Sequence, residues 1–321
     1  MSLIERISRS LDIDENLIKT IARTSNKYYR VFSISKKFGG VRSIYHPSPI
    51  LKVFQYWLVQ NLISHLPVSE HATAYGLGCS IKRNAQLHAA AKHIVRMDVK
   101  NFFPSIRFQL LADRINAFRD TIPGGASLTE EDLQLINGIC FVRGRLVIGS
   151  VCAPAISNAV MYPFDCEVSQ QARALHLTYS RYADDIVFSS NEWIHPSIVE
   201  DIDGRLGKFG MKLNREKTIF MGGSDRKMVT GILLNTGRLS IGRARKESIK
   251  KMLYQKLRTG AGDNRKILGY LNYLRDIEPD TFNRMVVKYN SFFGRNIMRV
   301  LTEAPADTRK AQAEAAPTKK P

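Results

Sequence analysis

The chain has 321 residues, 44% of them hydrophobic and 24% charged. That composition excludes a mostly disordered protein and supplies a sizeable core for one large domain or two modest ones. Its 48 Lys and Arg outnumber 29 Asp and Glu, a formal charge of +19, which points to a polyanionic partner, either nucleic acid or an anionic membrane surface.

Spacing of Leu3, Ile4, Ile7, Leu11, Leu17, Ile18 and Ile21 predicts one or two short helices over residues 1–25. A hairpin follows: residues 28–35 alternate, 36–40 turn and 41–45 return. Pro49 opens a helix to about residue 66, and Ser80 caps another to about residue 91. Residues 93–99 read as a strand and 104–119 as a helix. Residues 128–142 read as a helix capped by Thr129, with Asp132 three positions on. Residues 154–174 are helical, and 177–182 and 186–190 are two strands around a short acidic turn. A helix over 196–209 stops at Gly210, and 216–221 and 227–234 read as strands.

From Gly242 the pattern is helical, with Tyr254, Leu257, Ile267, Leu268, Leu271 and Leu274 expected to face a core. Residues 243–275 hold ten Lys and Arg against only Glu247 and Asp263. A solvated helix face would mix both signs, so this one-sided count suits a phosphate backbone. The segment 303–321, rich in Ala, Pro, Lys and Thr, reads as disordered. Cys79, Cys140, Cys152 and Cys166 show no C-x-x-C spacing and are expected as four buried thiols in a reducing cytoplasm. No apolar run approaches the roughly 18–20 residues that span a bilayer. Residues 1–6 carry no apolar signal region, so a cytoplasmic protein with no membrane partner is expected. Strands interleaved with helices, then an all-helical end, give an α+β body with a helical subdomain.

The acidic turn carries the chemistry. Asp184 and Asp185 sit together at the tip of an apolar hairpin that has no glycine. Their mutual repulsion is costly unless a cation is present. The strand over 93–99 ends in a third acid, Asp98. If these strands lie side by side, the three carboxylates converge as hard oxygen ligands suited to Mg²⁺, and two such ions can activate a hydroxyl and stabilise a leaving pyrophosphate.

Tyr182-Ala183-Asp184-Asp185 resembles the Y-x-D-D box of reverse transcriptases. Met97-Asp98-Val99-Lys100-Asn101-Phe102-Phe103-Pro104-Ser105-Ile106 is similar to the family's first catalytic block. The stretch from Gly149 through Pro154 to Asn158 resembles the Gly-x-x-x-Ser-Pro-x-x-x-Asn block, departing from it at Ala153 and, just before it, at Ile148. Residues 210–218 resemble the Lys-bearing palm block, and 37–47 the fingers hairpin. The blocks stand in family order over 28–235. Asn84-Ala85-Gln86-Leu87-His88 and Val229-Thr230-Gly231 are similar to two motifs of retron reverse transcriptases.

The resemblance implies a right-hand polymerase fold. Residues 1–27 would be an N-terminal helical segment, 28–240 fingers and palm, 241–302 a helical thumb and 303–321 a tail. Asp98, Asp184 and Asp185 would be catalytic and would hold two Mg²⁺ ions, with the Val99 carbonyl as a further ligand. Phe103 would exclude a 2′-OH, and Arg42, Lys36, Lys37, Lys217 and Gly149 would contact the dNTP. Asn84 and His88 would hold the fold or the RNA. Val229, Thr230 and Gly231 would help select that RNA, and Arg243, Arg245 and Lys250 would bind its backbone. The implied activity is RNA-directed DNA synthesis on a structured noncoding RNA, giving a 2′,5′-branched RNA–DNA product (multicopy single-stranded DNA) in antiphage defence with an effector or toxin protein. The rivals are a group II intron-like enzyme and an RNA-binding scaffold that inhibits a toxin.

Overall fold

The computed structural model describes residues 1–35, 39–235 and 237–302. Lys36, Lys37 and the segment 303–321 lie outside the described residues. The chain divides into two compact units, Met1–Thr230 and Gly231–Pro321.

The first unit opens with helices α1 (Leu3–Leu11) and α2 (Glu15–Arg23). Next come strands β1 (Tyr29–Ser35) and β2 (Val41–Pro47), an antiparallel ribbon. The ribbon exposes Val31, Phe32, Ile34 and Val41. Helix α3 (Pro49–Asn61) starts on Pro49 behind the Ser48 cap, and α4 (Ile81–Leu87) starts behind Ser80. Then follow β3 (His93–Asp98), α5 (Phe102–Ser105), α6 (Phe108–Ala117), α7 (Glu130–Cys140) and α8 (Ala153–Ala174). Strands β4 (Thr178–Tyr182) and β5 (Asp185–Ser190), helix α9 (Ile198–Gly207), β6 (Ile219–Met221) and β7 (Met228–Val229) complete it.

Strands β3 to β6 form one antiparallel sheet in the order β4-β5-β3-β6. Period-two alternation sends Tyr179 and Arg181 of β4 to α8, and Ser180 to the opposite side. Val95, Met97 and Phe188 join Ile7, Ile21, Phe54, Leu58, Ile136, Ile156 and Phe164 in a continuous core. Thr129 and Asp132 cap α7 reciprocally, and Asp132 also accepts from Leu3 N–H at 3.1 Å, tying α1 to α7.

Three elements depart from the sequence reading. The expected helix over 104–119 is two helices, because Ile106 is extended and fully buried. Its carbonyl accepts from Leu146 N–H at 3.0 Å, and Phe108 N–H donates to Gly144 at 3.0 Å. The expected strand over 227–234 breaks where Thr230 and Gly231 take φ of +46° and +80°. The expected strand over 216–221 is reduced to β6, preceded by a 3-10 turn at Arg215–Lys217. Cysteine burial also differs: Cys140 and Cys152 are buried, Cys79 is half-buried and Cys166 is exposed.

The second unit holds a hairpin, β8 (Ile232–Asn235) and β9 (Arg238–Ser240), then α10 (Arg243–Thr259), α11 (Asn264–Ile277), α12 (Pro279–Phe293) and α13 (Ile297–Thr302). Ile249, Leu253, Leu257, Ile267, Leu271 and Leu274 are buried. Tyr254, expected inside, is exposed, because Ile249, Leu253 and Leu257 fill the inner face of α10 at helical spacing. Glu278 accepts from Ile241 N–H at 2.8 Å and Lys246 Nζ at 2.9 Å, fixing the start of α10. Among the described residues no helix is long and apolar enough to cross a membrane.

Candidate active site

Strand register brings the acids together. Asp98 ends β3, Asp185 opens β5, and their antiparallel pairing sets the two directly opposite. Asp184 lies in the two-residue turn before Asp185. That turn needs a left-handed residue and has Ala183 there, at φ +56°, where hairpins favour glycine. Two backbone contacts hold it: Arg181 Nη1 donates to the Ala183 carbonyl at 3.1 Å, and Val99 N–H donates to the Asp184 carbonyl at 2.9 Å. Asn214 N–H donates to the Asp98 carbonyl at 2.7 Å.

Arg181 is itself anchored. It is fully buried and forms a two-pronged pair with fully buried Asp165, Nε to Oδ1 at 2.8 Å and Nη2 to Oδ2 at 2.6 Å. Tyr179 donates its hydroxyl to the same carboxylate at 2.7 Å. A guanidinium fork matches a carboxylate in this geometry and keeps one nitrogen free for the turn.

The acidic end is only partly compensated by positive charge. Burial, then the Asp98 charge, pushes the Asp184 carboxyl up, against the pull of Lys217 and Arg42. Burial and the neighbouring Asp184 push Asp185 up to about 6, opposed by Arg96. Lys217 Nζ lies 3.0 Å from both oxygens of Asp98. Among the described residues no group of three or more His, Cys, Asp or Glu is drawn tightly enough to enclose an ion. The donors are nonetheless of the kind a hard cation takes: the register puts three carboxylates at one end of the sheet, two of them in surroundings that disfavour their negative charge.

Around the acids, Phe102 turns into the core, while Phe103 is half-buried with its ring centroid 6.4 Å from that of Tyr75. Arg42 is exposed on β2, close enough for its charge to act on Asp184. Gly149, at φ +103°, is demanded by packing: a Cβ there would stand 2.5 Å from the Tyr45 carbonyl oxygen. Tyr45 N–H donates to the Ile148 carbonyl at 2.8 Å, fastening the ribbon to this loop.

Of the two roles expected of Asn84 and His88, holding the fold or the RNA, their surroundings favour the first. Both are fully buried. The Ser180 hydroxyl donates to Asn84 Oδ1 at 2.6 Å, so it accepts from His88 Nε2 at 2.8 Å. His88 Nδ1 then accepts from the Ser189 hydroxyl at 2.7 Å. Burial pulls the imidazole down to about 4, so it is neutral. These residues hold the sheet from the side opposite α8. The Val229 side chain is buried as well, and Thr230 donates its hydroxyl to the Ile81 carbonyl at 3.0 Å. Gly231 is half-buried. In the second unit Arg243, Arg245 and Lys250 are exposed. Arg245 donates to the Tyr273 hydroxyl at 3.2 Å, and Lys250 to Glu247 at 2.8 Å.

Sequence reasoning missed Arg181, Asp165, Arg96 and Tyr75. The one available signal was an Arg immediately before the acidic box in an apolar strand, where a buried charge needs a partner.

A family model described as reverse transcriptase (RNA-dependent DNA polymerase) matches residues 34–270. The Retron Ec73 reverse transcriptase of Escherichia coli is 36% identical, over 80% of this chain and 86% of that one. The Retron Ec83 reverse transcriptase of Escherichia coli is 30% identical, over 82% of this chain and 87% of that one. The Retron Ec86 reverse transcriptase of the same organism is 23% identical over 92% of each chain.

Proposed function

Since the chain belongs to the retron reverse transcriptases and is an RNA-directed DNA polymerase, we propose that it copies part of a structured noncoding RNA into single-stranded DNA at the acidic end of its four-stranded sheet. The observation that carries this reading is the register that sets Asp98 opposite Asp185, with Asp184 in the adjoining turn. In this reading Asp98, Asp184, Asp185 and the Val99 carbonyl hold two Mg²⁺ ions, which when bound activate the attacking hydroxyl and neutralise phosphate charge.

The chain's own side chains bind and orient. Arg42 takes triphosphate oxygens in its guanidinium fork. Lys217 leaves Asp98 and donates to the departing pyrophosphate. The half-buried ring of Phe103 lies under the sugar and clashes with a 2′-OH, so dNTPs are selected. Gly149 keeps the ribbon seated on the neighbouring loop. Residues 28–240 act as fingers and palm, and 241–302 as a thumb whose Arg243, Arg245 and Lys250 follow the duplex backbone, largely by shape and phosphate contact.

Synthesis on this reading starts from a 2′-OH of an internal guanosine in the RNA and leaves a 2′,5′-branched RNA–DNA molecule. Backbone groups at Thr230 and Gly231, two consecutive left-handed residues, help select the cognate RNA. The product acts in the cytoplasm with an effector or toxin protein in antiphage defence.

Co-expression with the adjacent noncoding RNA tests this. Wild type yields branched single-stranded DNA, and Asp184→Asn/Asp185→Asn yields none. No product from wild type overturns the retron reading. Product from the double variant overturns the acidic site, and toxin inhibition that survives in it assigns that role to RNA binding alone.

A further inference from the structure

Tyr75 is the centre of a three-residue turn. Gly76 N–H donates to the Ala74 carbonyl at 2.9 Å, and Tyr75 takes φ of +67°. A turn closed by that bond with positive φ is the strained γ form, and a bulky residue is a genuine outlier there. Such strain persists only where the surroundings over-determine it, and it gathers at functional sites.

Hydrogen bonds from several sides fix this turn. Thr73 N–H donates to the Arg181 carbonyl at 2.8 Å, and Asn158 Nδ2 donates to the Ala74 carbonyl at 2.9 Å. Asn158 Oδ1 accepts in turn from Arg181 Nη2 at 3.4 Å. The same buried guanidinium therefore braces two of the left-handed residues near the acids, Ala183 directly and Tyr75 through Asn158. Ala72, Thr73 and Ala74 are buried, yet Tyr75 is 49% exposed. Packing of the core does not call for this ring. It stands beside Phe103, the planes tilted by 39°. Burial and the charge on Asp184 both push its hydroxyl pKa up, which places it next to the acidic end.

We propose that Tyr75 is a specificity-determining residue of the nucleotide site: with Phe103 it forms an aromatic wall that holds the sugar of the incoming nucleotide and sets how strictly a 2′-OH is excluded. The proposal rests on the polymerase reading of this site. Without Tyr75, the Phe103 ring has open space on its exposed side and yields to a ribose. An aromatic contact of this kind corresponds to about tenfold in a rate ratio.

The test compares wild type, Tyr75→Gly and Tyr75→Phe on an RNA template with a DNA primer. It reads kcat/KM for dNTP and rNTP and a thermal melt. Glycine accepts the positive φ, so Tyr75→Gly melts at or above wild type. Its preference for dNTP over rNTP falls about tenfold, mostly through KM, while Tyr75→Phe stays within about twofold of wild type. A Tyr75→Gly enzyme that keeps the wild-type preference overturns the proposal. So does one that fails to fold, since the ring would then be a packing element, and so does a Tyr75→Phe enzyme that behaves like Tyr75→Gly. Wild type that extends no primer overturns the polymerase reading instead.

Discussion

In the body of the β4–β5 hairpin the buried charges come as opposites. Arg181 meets Asp165 on the α8 side, while the other side is served by neutral His88 and two serines. Three and four residues beyond Arg181, at the tip, Asp184 and Asp185 stand at the same end of the sheet as Asp98, and burial and repulsion push the first two toward their protonated forms. The same strands therefore bury polarity in two ways. Paired charge offsets its own burial, while gathered like charge costs stability and, on the proposed reading, is kept for a cation that supplies the missing sign.

Substitutions at the two places should consequently have opposite signs. Arg181→Ala strands a buried Asp165 carboxylate and should lower stability by about 3–5 kcal/mol in urea unfolding. Replacing the pair together, Arg181→Met with Asp165→Leu, should recover most of that loss; equal destabilisation by both variants would break the contrast.

The His88 effect is smaller and depends on pH. Burial lowers its folded pKa to about 4, from 6.5 for a free imidazole. The neutral ring contributes stability that is fully present above pH 6.5 and is lost as pH falls through 4, about 3 kcal/mol in all. A His88→Gln variant should show a flatter stability–pH curve across that window. The smallest effect is a gain. Asp185→Asn, measured with chelator present, should raise stability by on the order of 1 kcal/mol by removing one of the like charges. A loss there would mean that Asp185 is held as part of the structure.

Much of this was legible in the chain. The acidic box, the strand ending in Asp98, the Thr129 cap and the ribbon all rest on local patterns of two, three or four residues. What was not legible depends on distant partners. Ile106 breaks its helix because the loop before Leu146 competes for its backbone. Asn84 and His88 are matched by motif, but only the fold shows that Ser180 and Ser189 enclose them. Arg181 finds Asp165 sixteen residues back, on a helix. The left-handed turn at Tyr75 has no marker, because glycine, the usual sign, is absent there.

The pairing of β3 with β5 has a consequence for which sequence changes the protein tolerates. Side chains alternate faces along a strand, so one residue added or lost within His93–Asp98 would turn every later side chain over and carry Asp98 away from Asp185. Apolar replacements of similar volume at Ile94, Val95 or Met97 leave that registration intact. A deep insertion and deletion scan should therefore show this six-residue segment as permissive to exchange and closed to changes in length.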